Sequence, residues 1–594
     1  MKKFLLSAFT LTATAAAWAT VPQFFPAGTV NPVVLTNDAP SYYTPACVST
    51  DNNKFFFAGQ FQDTFEFKTG SGTDAVTTTL DAGDLTSAYV LSYGSYGSPL
   101  AAFVIEGAAQ VTAMTCDDNN LYVAGVFADK VTFHSASATG KTEEVEGLKL
   151  EDKPVAQKSA SFIAVYSLEG ELQSVKTFGP ESLASLVETG MYYPSGEDLF
   201  FHISDIQHYD GKLYVSTNYT GETKIGGVTL EGTYQDPWGG VYFIDIANSA
   251  VLSIDAATLS TATVEMSVET KGPVYSDEKA ESSPITFNVS KAGLYGAFIP
   301  SGIGELTVKN GSLTETINLT TDSPDLYALA GAGKLVKIEK KKDSDNLINH
   351  NVISNVLVEN GKVWMLGSTD IELPSAKAGE GTAVTGSNDL FVATFSASDL
   401  SLTSVVGNAS EEGTTDIPQA DGSAKAQPNY ERPQGAITVN DYLMLIYNTL
   451  DFNGDYIRSS IKLFTGTEFK TPESISTVSR PATPYPVATG ICRNNGDGIN
   501  ASYNTAVIAL PVVAAVDADP SGAAQPENQV SFTFQYGSFN QDLISSGINA
   551  IAPDYIDENA PVEYYNLQGI RIINPTEGQV VIRRQGSKAE KIIF

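Results

Sequence analysis

Cysteine is nearly absent from the chain: Cys47, Cys116 and Cys492 are the three in 594 residues. They are widely spaced and none stands in a Cys-x-x-Cys pair, so neither a disulfide framework nor a zinc site is implied. Buried small hydrophobes are the expectation. Histidine is also scarce. His202 and His208 lie six apart, which suits no helical metal motif, and His134 and His350 are isolated. No Gly-x-Ser-x-Gly elbow occurs, and no cysteine has a histidine close by in sequence, so nucleophilic catalysis has no recognisable motif. Cations are outnumbered, 35 Lys and Arg against 68 Asp and Glu, for a formal charge of -33. So acidic a surface repels nucleic acid and anionic membrane, which excludes both as partners. Beyond the N-terminus no apolar run approaches the ~20 residues of a membrane span, so the chain is not expected to be membrane-spanning.

What is present begins with an export signal. Lys2 and Lys3 precede an apolar, small-residue stretch from Phe4 to Trp18, and Ala17-Trp18-Ala19 supplies the small-x-small pattern of a cleavage site. Residues 1–19 therefore read as a signal peptide. Thr20 rather than Cys follows, which argues against a lipid anchor. The expected location is the cell surface or the extracellular space, with the periplasm as the alternative.

The body of the chain repeats itself. One unit runs apolar strand, tight Asp/Asn/Gly turn, apolar strand, small residue. Its copies include Val111 to Cys116, Asp117 to Asn120 and Leu121 to Gly125; Ile206 to Tyr209, Asp210-Gly211-Lys212 and Leu213 to Ser216; and Val356 to Val358, Glu359 to Lys362 and Val363 to Gly367. Further copies lie at Cys47 to Gly59 and Ala436 to Leu445. Asn-Gly and Asp-Gly supply the positive φ angles of two-residue hairpins. A second half-unit follows as Ala88 to Tyr93, Ser161 to Tyr166, Gly240 to Asp245 and Asp389 to Phe395, each leading to one more strand. Second strands begin at residues 55, 121, 213, 363 and 442, and the doubled step between 213 and 363 predicts a hidden copy at Gly293 to Phe298. Val487 to Val513 with Val530 to Tyr536 offers a last unit, which Val33-Val34-Leu35 can complete by pairing. Four strands per unit is the make-up of a propeller blade. The expected fold is all-β: a β-propeller of six to seven four-stranded blades over residues 20–540. A solenoid or a row of β-sandwiches is the alternative.

Leu121-Tyr122-Val123-Ala124-Gly125-Val126-Phe127, followed by Ser161 to Gly179, resembles the β-propeller repeat of exported bacterial proteins. Gln173 and Ser174 stand about where that family often has Trp. Past a linker at 541–561, residues 562–594 resemble the C-terminal sorting domain of Bacteroidetes proteins exported by the type IX (Por) system. Tyr565-Asn566-Leu567-Gln568-Gly569, then Pro575 and Gly578, then Gly586 and Lys588 carry that resemblance in order. It implies a small β-sandwich that the outer-membrane secretion machinery reads as a partner. The charge also changes here, with five Lys and Arg against three Glu.

Propeller topology places the second-to-third connections and the links between blades on one face. Here they are long, at 68–85, 134–158, 373–388 and 405–434, and long loops often carry function. Tyr192, Tyr193, Tyr234 and Trp238 fall in such segments, where rings stack on sugars or anchor a protein partner; packing the loops down is the competing role. No cofactor is implied. Calcium at Asp451-Phe452-Asn453-Gly454-Asp455 stays open, although the closing Glu of a calcium loop is missing. The expected function is non-catalytic binding or adhesion, with a glycan or a host or extracellular protein as partner. A polysaccharide hydrolase or lyase with carboxylates in the channel and a structural envelope protein are the alternatives.

Overall fold

The computed structural model describes residues 24–36, 46–49, 54–61, 64–69, 76–83, 85–93, 99–146, 158–180, 199–235, 244–271, 279–321, 326–339, 351–369, 373–374, 382–384, 389–408, 414–418, 423–439, 442–451, 456–470, 478–479, 490–494, 505–509, 514–515, 529–539, 562–565, 571–572, 575, 580–585 and 588–593. Every regular element among them is a β-strand, distributed over several sheets. The chain divides into two compact units, Val21–Phe539 and the remainder. The signal segment 1–19 and the linker 541–561 lie outside the described residues.

Val21–Phe539 is built from a module of four antiparallel strands. Module 1 is Ala46–Ser49, Phe55–Phe61, Ser87–Tyr93 and the start of Pro99–Cys116. Module 2 takes the rest of Pro99–Cys116, then Asn120–His134, Lys158–Ser167 and Leu172–Phe178. Module 3 is Leu199–Tyr209, Lys212–Tyr219, Asn248–Asp255 and Ala262–Thr270. Module 4, the hidden copy, is Thr286–Ser290, Gly293–Phe298, Leu326–Gly331 and Lys334–Glu339. Module 5 is Val352–Glu359, Lys362–Thr369, Asp389–Ser396 and Leu402–Gly407. Module 6 is Tyr430–Val439, Tyr442–Leu450, Tyr456–Phe464 and Phe469–Lys470. Module 7 is Gly490–Asn494, Thr505–Ala509, Gln529–Phe539 and, from the other end of the chain, Phe24–Thr36. Val33, Val34 and Leu35 pair with Phe532, Ser531 and Val530, the pairing the sequence offered.

Local chemistry explains the module. Second strands are near-continuous apolar runs because both faces are covered: Lys362–Thr369 is buried at every position after the first. Module 2's fourth strand, Leu172–Phe178, is an edge and buries only its two ends, whereas in module 3 Gly304–Asn310 pairs onto the outer side of Ala262–Thr270. Asp210 and Gly211 have φ of 49° and 71°, and Asn360 and Gly361 have 51° and 74°, as a two-residue turn matched to strand twist demands. The Asp117 turn is locked differently. Its carboxylate accepts hydrogen bonds from Asn119 N (2.8 Å), Asn120 N (2.7 Å) and the Tyr122 hydroxyl (2.7 Å). Burial works against the Asp117 charge, but those bonds outweigh it and hold the carboxyl below its ordinary range.

First strands of successive modules lie against one another from module 1 to module 7, and Gly490–Asn494 lies against Ala46–Ser49. No sheet among the described residues closes on itself. Polar staples cross the boundaries. Gln60 Nε2 donates to Ala109 O (3.0 Å) and Thr112 Oγ1 to Ile203 O (2.6 Å). Gln207 bonds both Phe287 O and Val289 N, and Thr286 Oγ1 donates to Ile353 O. Glu431, fully buried, accepts from Asn408 Nδ2 and Leu390 N between modules 5 and 6. Each bond satisfies a group that would otherwise be desolvated at a seam.

Two expectations are corrected. Gly240 to Asp245 is not the third strand of module 3: Ile244–Ile246 pairs with Thr233–Gln235 in a side ribbon, and Asn248–Asp255 takes the place in the module. The segments read as long loops carry strands of their own. Thr64–Thr69 pairs with Val76–Asp81, Thr142–Glu146 with the end of Asn120–His134, Leu373–Pro374 with Thr382–Val384, and Thr414–Pro418 with Ala424–Pro428. Backbone groups in a long connection need partners, and a hairpin supplies them internally.

In the other unit, Arg571–Ile572, Val562–Tyr565, Val580–Gln585 and Lys588–Ile593 form one antiparallel sheet. The expectation here was a β-sandwich; one sheet is present among the described residues.

Candidate functional site

Antiparallel order puts the 1–2 and 3–4 turns of a module at one end of its strands. The 2–3 connection and the links to neighbouring modules leave from the other, the connection end. At the connection end of modules 2 and 3, Lys158 and Ser159 pair in parallel with Leu199 and Phe200. This brings Ser159 Oγ to 2.5 Å from His202 Nε2, both side chains half-buried. The His202 ring lies against Phe200, centroids 4.7 Å apart and planes tilted by 31°. Residues two apart on a strand share a face, which is why these rings meet. Phe200 is pinned by its backbone: its N–H donates to Thr220 Oγ1 (3.1 Å) and its carbonyl accepts from Thr220 N (3.0 Å).

The polar level continues across module 3. His202 pairs in register with Asn218 and Asn218 with Ser249. Asn218 Nδ2 donates to Ser249 Oγ (3.0 Å), and Ser249 Oγ to Ser283 O (3.3 Å) in the link to module 4. Directly paired residues point to one side of a sheet, so His202, Asn218 and Ser249 form a polar row there.

Further along the same first strand, a β-bulge between Ile203 and Asp205 inserts Ser204. The device recurs. Bulges interrupt module 2 between Val111 and Ala113, module 5 between Ile353 and Asn355, and module 6 between Pro433 and Gly435. In three of them the inserted hydroxyl donates to a carbonyl of the second strand: Thr112 to Ala124, Ser204 to Ser216 and Ser354 to Leu366. Bulges re-aim side chains, and here the residue after the bulge in module 3 is Asp205. Its carboxylate accepts from Ile206 N (2.8 Å) and Gln207 Nε2 (3.1 Å). Asp205 is half-buried, and burial raises its pKa from 3.8 to about 6 despite those two bonds.

Of the residues the sequence singled out, Tyr234 is 8% exposed, paired with Asp245 in the side ribbon, so its ring is packed in rather than presented at the surface. Tyr192, Tyr193 and Trp238 lie outside the described residues, as do Asn566, Leu567, Gln568, Gly569, Gly578 and Gly586. Tyr565 pairs with Arg571 and with Ile582, Pro575 lies between strands, and Lys588 pairs with Gln585. His134 Nε2 is 3.0 Å from Glu106, and the His208 ring stacks on Tyr122. Asp451 is buried, while the rest of its turn, 452–455, is outside the described residues. Among the described residues no three His, Cys, Asp or Glu gather as a metal would require, and no helix is long and apolar enough to cross a membrane.

Ser159, Phe200 and Asp205 were not singled out by sequence. The Ser159–His202 contact arises between strands 43 residues apart, so spacing carries no trace of it. Alone, such a pair falls short of nucleophilic catalysis, which also needs an orienting group and oxyanion donors.

The chain matches no protein-family model and no curated protein. Among solved structures, it resembles the catalytic domain of a GH62 α-L-arabinofuranosidase from Coprinopsis cinerea at 10% identity and a TM-score of 0.20, over 56% of this chain and 89% of that one. It resembles an acylaminoacyl peptidase, solved with Z-Gly-Gly-Phe-chloromethyl ketone, at 11% identity and a TM-score of 0.21, over 69% of this chain and 59% of that one. Similarities this low leave fold and site to the chain's own residues.

Proposed function

We propose that residues 20–540 form a seven-bladed β-propeller that works as a non-catalytic binding or adhesion protein, holding a glycan or an extracellular protein at its connection ends. The ring of neighbouring first strands and the N-terminal strand in module 7 support the propeller. The observation that carries the binding reading is the asymmetry between strand ends. The 1–2 turns at Asp210-Gly211 and Asn360-Gly361 are minimal, whereas the connection ends grow hairpins of their own, such as Thr64–Thr69 with Val76–Asp81 and Thr223–Ile225 with Val228–Leu230. Elaboration on one side of a repetitive scaffold is where binding surfaces are built. Replacing 64–81 and 373–384 by short turns tests the reading. Binding should be lost while thermal unfolding stays cooperative, and retained binding would discard it.

The signal-like residues 1–19 and the sorting-like residues 562–594 support delivery to the cell surface through the outer-membrane secretion machinery. Deleting 562–594 should then trap the protein in the periplasm. A polysaccharide hydrolase or lyase is the second reading, favoured by Asp205, because a carboxyl held near neutrality suits a general acid. Release of reducing ends from polysaccharide, abolished by Asp205→Asn, would put that reading first.

A further inference from the structure

From the Phe200–His202 ring pair we infer that the connection end between modules 2 and 3 is a subsite for one neutral sugar unit of a glycan, an inference that rests on the binding reading above. Phe200 and His202 stack on one another as a half-buried aromatic ledge one ring wide, which leaves part of its surface open. The C–H face of a pyranose is apolar and flat, and an aromatic ring covers it with little loss of side-chain freedom. The ledge is also rigid. Ser159 holds the imidazole at 2.5 Å, and two backbone bonds to Thr220 fix Phe200. Such preorganisation favours a weakly held ligand, since little ordering remains to be done on binding. At the edge of the pair the Ser159 hydroxyl, bonded to the His202 imidazole, keeps the capacity for a further hydrogen bond to a sugar hydroxyl. The formal charge of -33 selects against uronic or sulfated sugars, so the unit is uncharged.

The ledge is separate from Tyr234, whose ring is packed into its ribbon.

The test uses the mature full-length protein and immobilised xylan, mixed-linkage β-glucan, mannan and galactan as neutral probes, with polygalacturonate as the anionic one. Phe200→Leu keeps apolar bulk without a ring, Phe200→Trp restores a ring, and thermal unfolding checks each variant. The expected result is binding to a neutral polymer that falls at least tenfold in Phe200→Leu, is kept in Phe200→Trp, and is absent for polygalacturonate. Neutral-glycan binding that Phe200→Leu leaves unchanged overturns the ledge while sparing the wider binding reading. Binding to polygalacturonate alone, or to none of the polymers, overturns the ledge too, and the second case leaves a protein as the ligand to seek.

Discussion

Gly125 and Phe162 face each other across modules 2's second and third strands, and the Phe162 ring occupies the space a Cβ on Gly125 would need. The same pair recurs as Gly59 with Tyr89 in module 1 and as Gly367 with Phe391 in module 5. The small residue closing the sequence repeat is therefore the seat of an aromatic from the next strand. Gly125→Ala would also meet the Gln110 carbonyl, which is backbone and cannot swing away. The expected loss is about 1–3 kcal/mol, the usual cost of overpacking, read as a lower denaturation midpoint. Adding Phe162→Leu should recover part of it, and a fully additive double mutant would disprove the coupling.

Tyr166 poses the opposite case. Its ring stacks on Phe103 at 4.3 Å within the core of modules 1 and 2, and its buried hydroxyl has no hydrogen-bond partner among the described residues. Burial raises its pKa far above the ordinary phenol value, so the hydroxyl stays protonated and unanswered. Tyr166→Phe keeps the stacking and removes the orphan, and should stabilise the protein by about 1 kcal/mol, within the cost range of an unsatisfied buried group. A melting temperature that falls instead would mean the hydroxyl is satisfied in solution.

Asp205 makes stability depend on pH in the less common direction. Its folded pKa of about 6 lies above the ordinary value of 3.8, so between those values the folded state holds a proton the unfolded state has lost. Its contribution therefore improves as pH falls through 6 and levels off below 3.8. Above 6 the buried charge costs about 3 kcal/mol, at 1.36 kcal/mol per pKa unit. Asp205→Asn should raise the denaturation midpoint at pH 7.5 and have little effect at pH 4. An equal change at both values would mean the side chain is solvated.

Much of this was legible, and for physical reasons. Hairpins were readable because Asp210-Gly211 and Asn360-Gly361 are required by the turn itself, and module 4 because its absence left a doubled step. Module 3's third strand was misplaced because Gly240 to Asp245 and Asn248 to Asp255 are both apolar runs, and only tertiary pairing chooses between them. The bulges also leave a signal in the sequence. Phe201, Ile203 and Ile206 show the buried alternation slipping by one, with Ser204 and Asp205 as adjacent polar residues; Ile353-Ser354-Asn355-Val356 repeats it. A phase slip inside a strand pattern is what an extra residue on one strand produces. The Ser159–His202 contact, by contrast, belongs to the parallel pairing at a module boundary and has no local signature.

The N-terminal strand ties the beginning of the chain to its end. Phe24–Thr36 pairs with Gln529–Phe539 from Phe24↔Phe539 to Thr36↔Gln529, and Leu35 also pairs with Phe65 in the side hairpin of module 1. Without it, Gln529–Phe539 would present an open edge, a template for pairing with another chain. A protein that begins at residue 37 should melt at lower temperature and associate with itself. A synthetic peptide of residues 24–36 should reverse both effects by taking the vacant place, since added strands bind through main-chain hydrogen bonds. A peptide with Pro at positions 30 and 34 loses donors in that ladder and should fail. If the truncated protein melts and sediments like the intact one, the strand is not what joins the last module to the first.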